Sequence, residues 1–322
     1  MGQEIDRRGL LLGATAYFIW GLFPILMKAL EPANAFEIVA WRALSSLIVC
    51  LLIAVVIKAW RRIWAIASDR RVLGRLALAS FFISANWGVM VYAVVTDRVS
   101  ETSLGYYINP LVTVALSVIF LGERLRRLQI VAISVAGVAV ALLALEAGGL
   151  PWVSIVLALS FAFYSFIKKG VGDKVDALSG LTVETAIIAP FAVLTLWLIE
   201  RRGATTFLAR DGEGLGTWHD IMLIGTGTWT AGALLIFAAG ARRLPLNVTG
   251  LLQYIAPTMT FVLAVTYFGE AMPTNRWFGF GLVWIALVLI TLDAWRTRAS
   301  VARRSGERRA EQEDDEPITE PI

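Results

Sequence analysis

The sequence is short of most of the groups that soluble enzymes use for chemistry. Its 322 residues hold one cysteine, Cys50, and one histidine, His219. A single cysteine excludes an intrachain disulfide and a cysteine-clustered metal site. A single histidine, in a loop by its sequence context, nearly excludes His-based metal sites and catalytic triads. No G-x-x-x-x-G-K-S/T phosphate loop occurs, which argues against ATP-driven work by this chain alone. Neither a cofactor nor a metal is expected. Charge is also scarce: 17% of residues are Asp, Glu, Lys or Arg, against 57% hydrophobic, and the mean hydropathy is +0.69. A soluble domain of this length is less apolar and more charged.

What is abundant is long apolar runs. They last roughly 18 to 25 residues, the length that spans a ~30 Å hydrocarbon core. Ten candidate spans follow: 10–30, 35–59, 73–95, 102–121, 130–146, 152–167, 178–199, 221–241, 247–268 and 277–295. Arg7 and Arg8 before the first run look like the start of a signal sequence, but the run continues to Leu30 and more follow, so it reads as a retained span. Gly2 is no myristoylation site, because position 6 is Asp. With the N-terminus inside, 22 of the 29 Lys and Arg residues fall in inside segments and five outside; Lys28 and Arg42 lie within spans. The positive-inside rule then places both termini in the cytoplasm. The net charge of +4 follows from topology and does not imply nucleic acid.

A pattern P-x(11)-G-E occurs twice, 147 residues apart: Pro110 with Gly122-Glu123, and Pro257 with Gly269-Glu270. From Leu104 to Glu123, nine of twenty positions match at that offset, including Tyr107/Tyr254 and Thr113/Thr260. Ten spans in two halves give five each, and an odd number forces the second half to enter from the opposite side. The expected fold is an all-α integral membrane protein of ten transmembrane helices in two inverted five-helix repeats. Transporters with such repeats bind substrate where the halves meet. Residues 9–146 would be the first repeat and 150–298 the second. Residues 299–322 are polar and charged and read as a disordered cytoplasmic tail.

Proline inside a helix frees a carbonyl, here those of Tyr106 and Gln253. In lipid that carbonyl needs a partner or a wet cavity, and Tyr106, Tyr107, Asn109, Gln253 and Tyr254 beside the two kinks suit one. Pro110 and Pro257 are therefore candidate hinges. Glu37 and Arg42 lie in the second span, about 140° apart around the axis, too far to pair. Arg42 is the deeper and fits an anionic or carboxylate group. Glu184 is the mate of Glu37 at the same offset of 147; the two read either as gating or proton-coupling groups or as interfacial carboxylates. Arg42 has no mate, because position 189 is Ala. Trp20, Asn86, Trp87 and Tyr164 are central enough to line a pocket. Lys28 snorkels, Lys168 and Lys169 mark the cytoplasmic interface, and Gly9-x-x-x-Gly13 is a weak dimerisation signal.

The strings Ala16-Tyr-Phe-Ile-Trp-Gly21, Ser103-Leu-Gly-Tyr-Tyr-Ile-Asn-Pro-Leu111, Phe120-Leu-Gly-Glu-Arg124 and Gln253-Tyr-Ile-Ala-Pro-Thr258 resemble the RarD, or chloramphenicol-sensitive protein, group of EamA-type transporters in the drug/metabolite transporter superfamily. The resemblance runs from Gly9 to about Arg298. It implies a permease of the bacterial inner membrane with ten helices, a central cavity and a small metabolite or drug as cargo. It names no single substrate. Its partners would be a small molecule, membrane lipid and a proton gradient, with the chain a monomer or homodimer. A lipid flippase or scramblase is the alternative class, and it would need a polar groove open to lipid. A membrane enzyme would need a clustered nucleophile, base or metal set at one membrane face, which the sequence does not present.

Overall fold

The computed structural model describes residues 6–121, 125–146, 150–172, 174–208, 216–241, 243–244, 248–249 and 252–314. All regular structure among them is α-helical. In chain order the helices are α1 (Arg7–Gly21), α2 (Phe23–Lys28), α3 (Ala35–Val56), α4 (Trp60–Ser68), α5 (Arg70–Val95), α6 (Val99–Leu121), α7 (Arg127–Glu146), α8 (Trp152–Lys169), α9 (Ala177–Arg201), α10 (Gly216–Ala241), α11 (Ile255–Thr266) and α12 (Thr274–Asp314). Nine segments among the described residues are long and apolar enough to cross a membrane, taking α1 and α2 together, and α11 is a shorter apolar helix. The molecule is a multi-pass membrane protein. Helix starts are written in the sequence: Asp6, Asn34, Asp69 and Asp176 each accept a backbone N–H one turn in, from Arg8, Glu37, Val72 and Ser179 respectively or a neighbour. Large apolar side chains such as Leu52, Val56, Phe81 and Phe191 stay outward, as a lipid-facing surface requires.

His219, expected in a loop, lies in the first turn of α10, and three further expectations change. The ninth run is not one helix from 247. Residues Gln253 and Tyr254 form a turn, and α11 starts at Ile255. Pro257 thus sits in the first turn, where its missing N–H has no intrahelical partner to lose. Pro110 lies in the interior of α6, so only it has the helix-kinking position. Second, the basic loop after α3 carries a short helix, α4, with Trp64 mostly exposed beside Arg61 and Arg62, also exposed. Its aromatic and basic surface suits the membrane interface. Third, α12 runs on to Asp314, so residues 299–314 are helical where composition suggested a disordered tail. The stretch is rich in helix-forming Arg, Glu and Ala, with Arg303/Glu307 and Arg309/Glu313 spaced four apart.

The packing is reciprocal between halves. α3 pairs with α9, α6 with α11 and α7 with α12, each joining a helix to the one five spans later. α8 packs on α5 and α6, and α1 packs in the matching way on α10 and α11. Two pairs are visibly antiparallel. Glu37 at the start of α3 meets Thr206 beyond the end of α9, while Arg62, beyond the end of α3, lies 3.8 Å from Asp176 at the start of α9. Likewise Arg126 ahead of α7 pairs with Asp293, at the end of the apolar part of α12, at 2.8 Å, and Leu143 near the end of α7 lies against Gly279 near the start of α12.

Close approaches use glycine. Gly227 of α10 faces the backbone of Ser45 and Ser46 in α3, and Gly240 faces Gly9 and Gly13 of α1. The Gly9-x-x-x-Gly13 pair is therefore occupied inside the chain. Gly227→Ala is expected to cost about 1–3 kcal/mol by overpacking and to lower the unfolding temperature of the detergent-purified protein. Gly232→Ala, on the same helix with open space at its Cβ position, should leave it unchanged.

Candidate functional site

Arg42 sits on α3, seven residues in from its start and so about 10 Å along the helix axis. It is 4% exposed. Its guanidinium lies over the rings of Phe23 and Trp87, with Cζ 4.5 Å and 4.3 Å from the two ring centroids. Its Nε donates to Thr230 Oγ1 of α10 at 2.9 Å, and Nη1 is buried without a partner. A lone charge at this depth costs about 2.5–3.5 kcal/mol on insertion scales. A desolvated cation over an aromatic face returns on the order of 2 kcal/mol. The rings thus offset much of the cost, but they leave the guanidinium edge unmatched.

Around this cation the structure assembles residues from both halves. Asn86 of α5 donates to the Leu157 carbonyl and Ser160 Oγ of α8, both at 3.1 Å, and accepts from the Tyr106 hydroxyl at 3.0 Å. Both polar atoms of the Asn86 side-chain amide are thereby partnered, as its burial demands. Tyr106 stands edge-on to Phe161, whose ring lies 6.0 Å from that of Tyr164. On the other flank Phe23 meets Trp229 edge-on, Trp229 Nε1 donates to the Ile19 carbonyl, and Trp20 packs with Tyr17 and Phe237. Arg42, Asn86, Trp87, Tyr106, Tyr164 and Trp20 thus belong to one connected aromatic and polar core.

Tyr164 carries that core to Glu184. The Glu184 carboxylate is 1% exposed, accepts from Tyr164 Oη at 3.2 Å and pairs with Lys168 Nζ at 2.6 Å. Lys168 is part of this site, although its place beside Lys169 at a helix end reads as a plain interface marker. Glu37 has other partners: its carboxylate accepts from the Thr205 hydroxyl, the Thr206 hydroxyl and N–H, and the Phe207 N–H, at 2.9–3.2 Å. It fixes the segment after α9. An open groove of 310 Å³ lies there, lined by Trp41, Val193, Leu196, Trp197, Glu200, Thr205 and Phe207. Tyr107 and Tyr254 belong to a separate apolar cluster with Phe261 and Phe280, where the Tyr107 hydroxyl lies 2.7 Å from Thr258 Oγ1. Asn109, with an unpartnered Oδ1, and Gln253 stand beside that second cluster in sequence.

The repeated G-E pair has a structural use in its second copy. Gly269 adopts φ +64°, a conformation glycine takes without strain, and turns the chain so that Glu270 reaches α6. The Glu270 carboxylate accepts from the backbone N–H groups of Val99 and of Ser100, the latter at 3.0 Å. It caps the N-terminus of a helix in the other half. Burial pushes the Glu270 carboxyl above its ordinary value, and those Ser100 and Val99 donors pull against the shift. Gly122-Glu123, the first copy, lies outside the described residues.

Two tests follow from these partners. Removing one member of a buried ion pair costs about 3–5 kcal/mol when the other is left uncompensated. Lys168 is 24% exposed and Glu184 1%, so Lys168→Met should lower the unfolding temperature more than Glu184→Gln, and the double variant should recover most of the Lys168→Met loss. Glu270→Ala removes the acceptor for two helix N–H groups and should cost about 0.5–2 kcal/mol, read as faster amide exchange at residues 99–101 than in the parent.

Comparison with known proteins matches the same residues. A model of the "EamA-like transporter family" matches residues 7–145 and again 149–292. "Protein RarD" of Streptomyces exfoliatus is 46% identical, over 94% of this chain and 93% of that protein. "Uncharacterized transporter YojE" of Bacillus subtilis is 38% identical, over 91% and 96%. "Protein RarD" of Escherichia coli is 34% identical, over 94% and 100%. A solved chain described as "Crystal structure of protein" superposes with a TM-score of 0.57 at 18% identity, covering 90% of this chain and 98% of that one, which speaks to the fold alone. With two EamA matches spanning the membrane region and RarD relatives aligned along nearly the whole chain, this protein belongs to the RarD group of the EamA-like transporter family.

Proposed function

We propose that the chain is a secondary transporter that moves a small organic molecule across the bacterial inner membrane by alternating access, with both termini in the cytoplasm. One observation carries this reading: polar bonds between the halves meet at the centre of an aromatic core. Arg42 on α3 binds Thr230 on α10, and Asn86 on α5 binds Ser160 on α8. A substrate site at the interface of inverted repeats is where such transporters bind cargo. The two halves, approximately residues 9–146 and 150–298, would rock about this core. Pro110 and the broken start of α11 at Pro257 would act as the compliant points.

Arg42, Asn86, Trp87, Tyr106, Trp20 and Tyr164 would line the path, and Tyr107, Asn109, Gln253 and Tyr254 would line its neighbouring wall. Glu184 is the better coupling group of the two symmetry mates. Its carboxylate is linked through Tyr164 and Phe161 to the core, whereas Glu37 is engaged by Thr205–Phe207.

The test uses the purified full chain in proteoliposomes, loaded with amino acids, sugars, nucleosides or phenicols in turn. One class should exchange faster than in empty liposomes, and an imposed pH gradient should accelerate it. Glu184→Gln should abolish the acceleration while leaving exchange without a gradient largely intact. Equal rates for Glu184→Gln and the parent under the gradient would remove proton coupling through this residue. No exchange of any class would overturn the transporter reading itself.

A further inference from the structure

Five Asp, Glu, Arg or His side chains are buried among the described residues: Glu37, Arg42, Glu184, His219 and Asp293. Four have partners suited to them. Glu37 holds Thr205–Phe207, Glu184 pairs with Lys168, Asp293 with Arg126, and His219 bonds Thr206. Arg42 is the exception. Its one hydrogen bond goes from Nε to a neutral hydroxyl, and no carboxylate among the described residues pairs with it.

The geometry restricts what the guanidinium can receive. Phe23 and Trp87 both lie against it, within 4.5 Å of Cζ, and Thr230 takes the Nε edge. What remains is the in-plane end carrying Nη1 and Nη2. Parallel N–H groups at such an end match the two oxygens of a carboxylate, which approaches in the same plane. The surroundings are rings: Trp229 beside Phe23, and Tyr106 leading to Phe161. Position 189, the repeat mate of Arg42, is Ala, and Lys168, the cation that the second half brings to this core, is already paired with Glu184. We infer that the cargo is a small organic carboxylate with one anionic group and an apolar body, its carboxylate held by the free end of Arg42. This rests on the transporter reading above and specifies its substrate class.

The experiment separates the two. Unfolding temperature of the detergent-purified full chain is followed against 3-phenylpropionate, indole-3-acetate and octanoate, each beside the alcohol and the amine with the same body. At least one acid should give a saturable rise that its alcohol and amine do not. Arg42→Gln should weaken that binding about tenfold to a hundredfold, the range for a lost charge-assisted hydrogen bond. Arg42→Lys keeps the buried charge as a folded control; without the planar fork it should bind the acid about tenfold more weakly than the parent. The inference is overturned if no acid binds, if the alcohol or amine binds as well as the acid, or if either variant binds like the parent. Binding in detergent without exchange in proteoliposomes would sink transport and keep the anion site. Exchange of the amine and not the acid would do the reverse.

Discussion

In hydrocarbon a polar group has no water to fall back on, so every charge and every freed backbone group must find its partner within the chain. That constraint organises this molecule more than apolar contact does, because lipid tails are as apolar as the helices they surround. The buried polar bonds consequently fall between helices. Arg42 joins α3 to α10, Asn86 joins α5 to both α6 and α8, Glu184 joins α9 to α8, and Asp293 joins α12 to the start of α7. Hydroxyls with no such task bond back to the carbonyl one turn earlier, as Ser84, Thr185 and Thr195 do. Where two helices come closest, at Gly227 against Ser45 and Ser46, glycine and serine allow the approach, and a serine hydroxyl crosses it.

The repeat is a shared scaffold with unshared chemistry. Glu37 and Glu184 stand at the same offset as the two proline motifs, yet their partners differ in kind. One carboxylate takes neutral donors from a loop, and the other takes an ammonium and a phenol. The prolines diverge as well, one inside α6 and one in the opening turn of α11. A duplicated half preserves backbone geometry while each copy is free to change what its side chains meet, and the unmatched Arg42 is the extreme case.

Much of the fold was legible in the sequence because membrane spans are encoded locally. Length and apolarity place the ends of α3, α5 and α9 within three residues. What was not legible has local causes too. The turn at Gln253–Tyr254 breaks a run whose hydropathy is unbroken, and α4 is too short and too basic to register as apolar. The site was only partly legible. Arg42, Asn86 and Trp87 are conspicuous as polar or aromatic groups at depth. Lys168 looked interfacial because its partner, Glu184, is sixteen residues away on another helix. Thr230, Ser160 and Phe23 carry no signal in sequence, since what matters is which ring or hydroxyl a neighbouring helix presents. Tyr107 and Tyr254 share a chemistry with Tyr106 but face a different cluster, a distinction that rotation about the helix decides and composition does not.

The position of Arg42, the one buried cation without an anion among the described residues, bears on mechanism. A charge satisfied by a carboxylate would hold α3 to its neighbours in a single arrangement, since parting them would strand both ions. Arg42 is held instead by two ring faces and a hydroxyl, contacts that are individually weak and geometrically forgiving. Its bond to Thr230 spans the two halves, so movement of α10 relative to α3 loses one hydrogen bond to a neutral hydroxyl and no ion pair at this point. The Lys168–Glu184 pair, by contrast, lies between α8 and α9 of the same half and can travel with it as a unit. Ion pairs that join the halves, such as Arg126–Asp293 between α7 and α12, involve other residues, so halves that moved as bodies would part contacts with neutral partners at the Arg42 core.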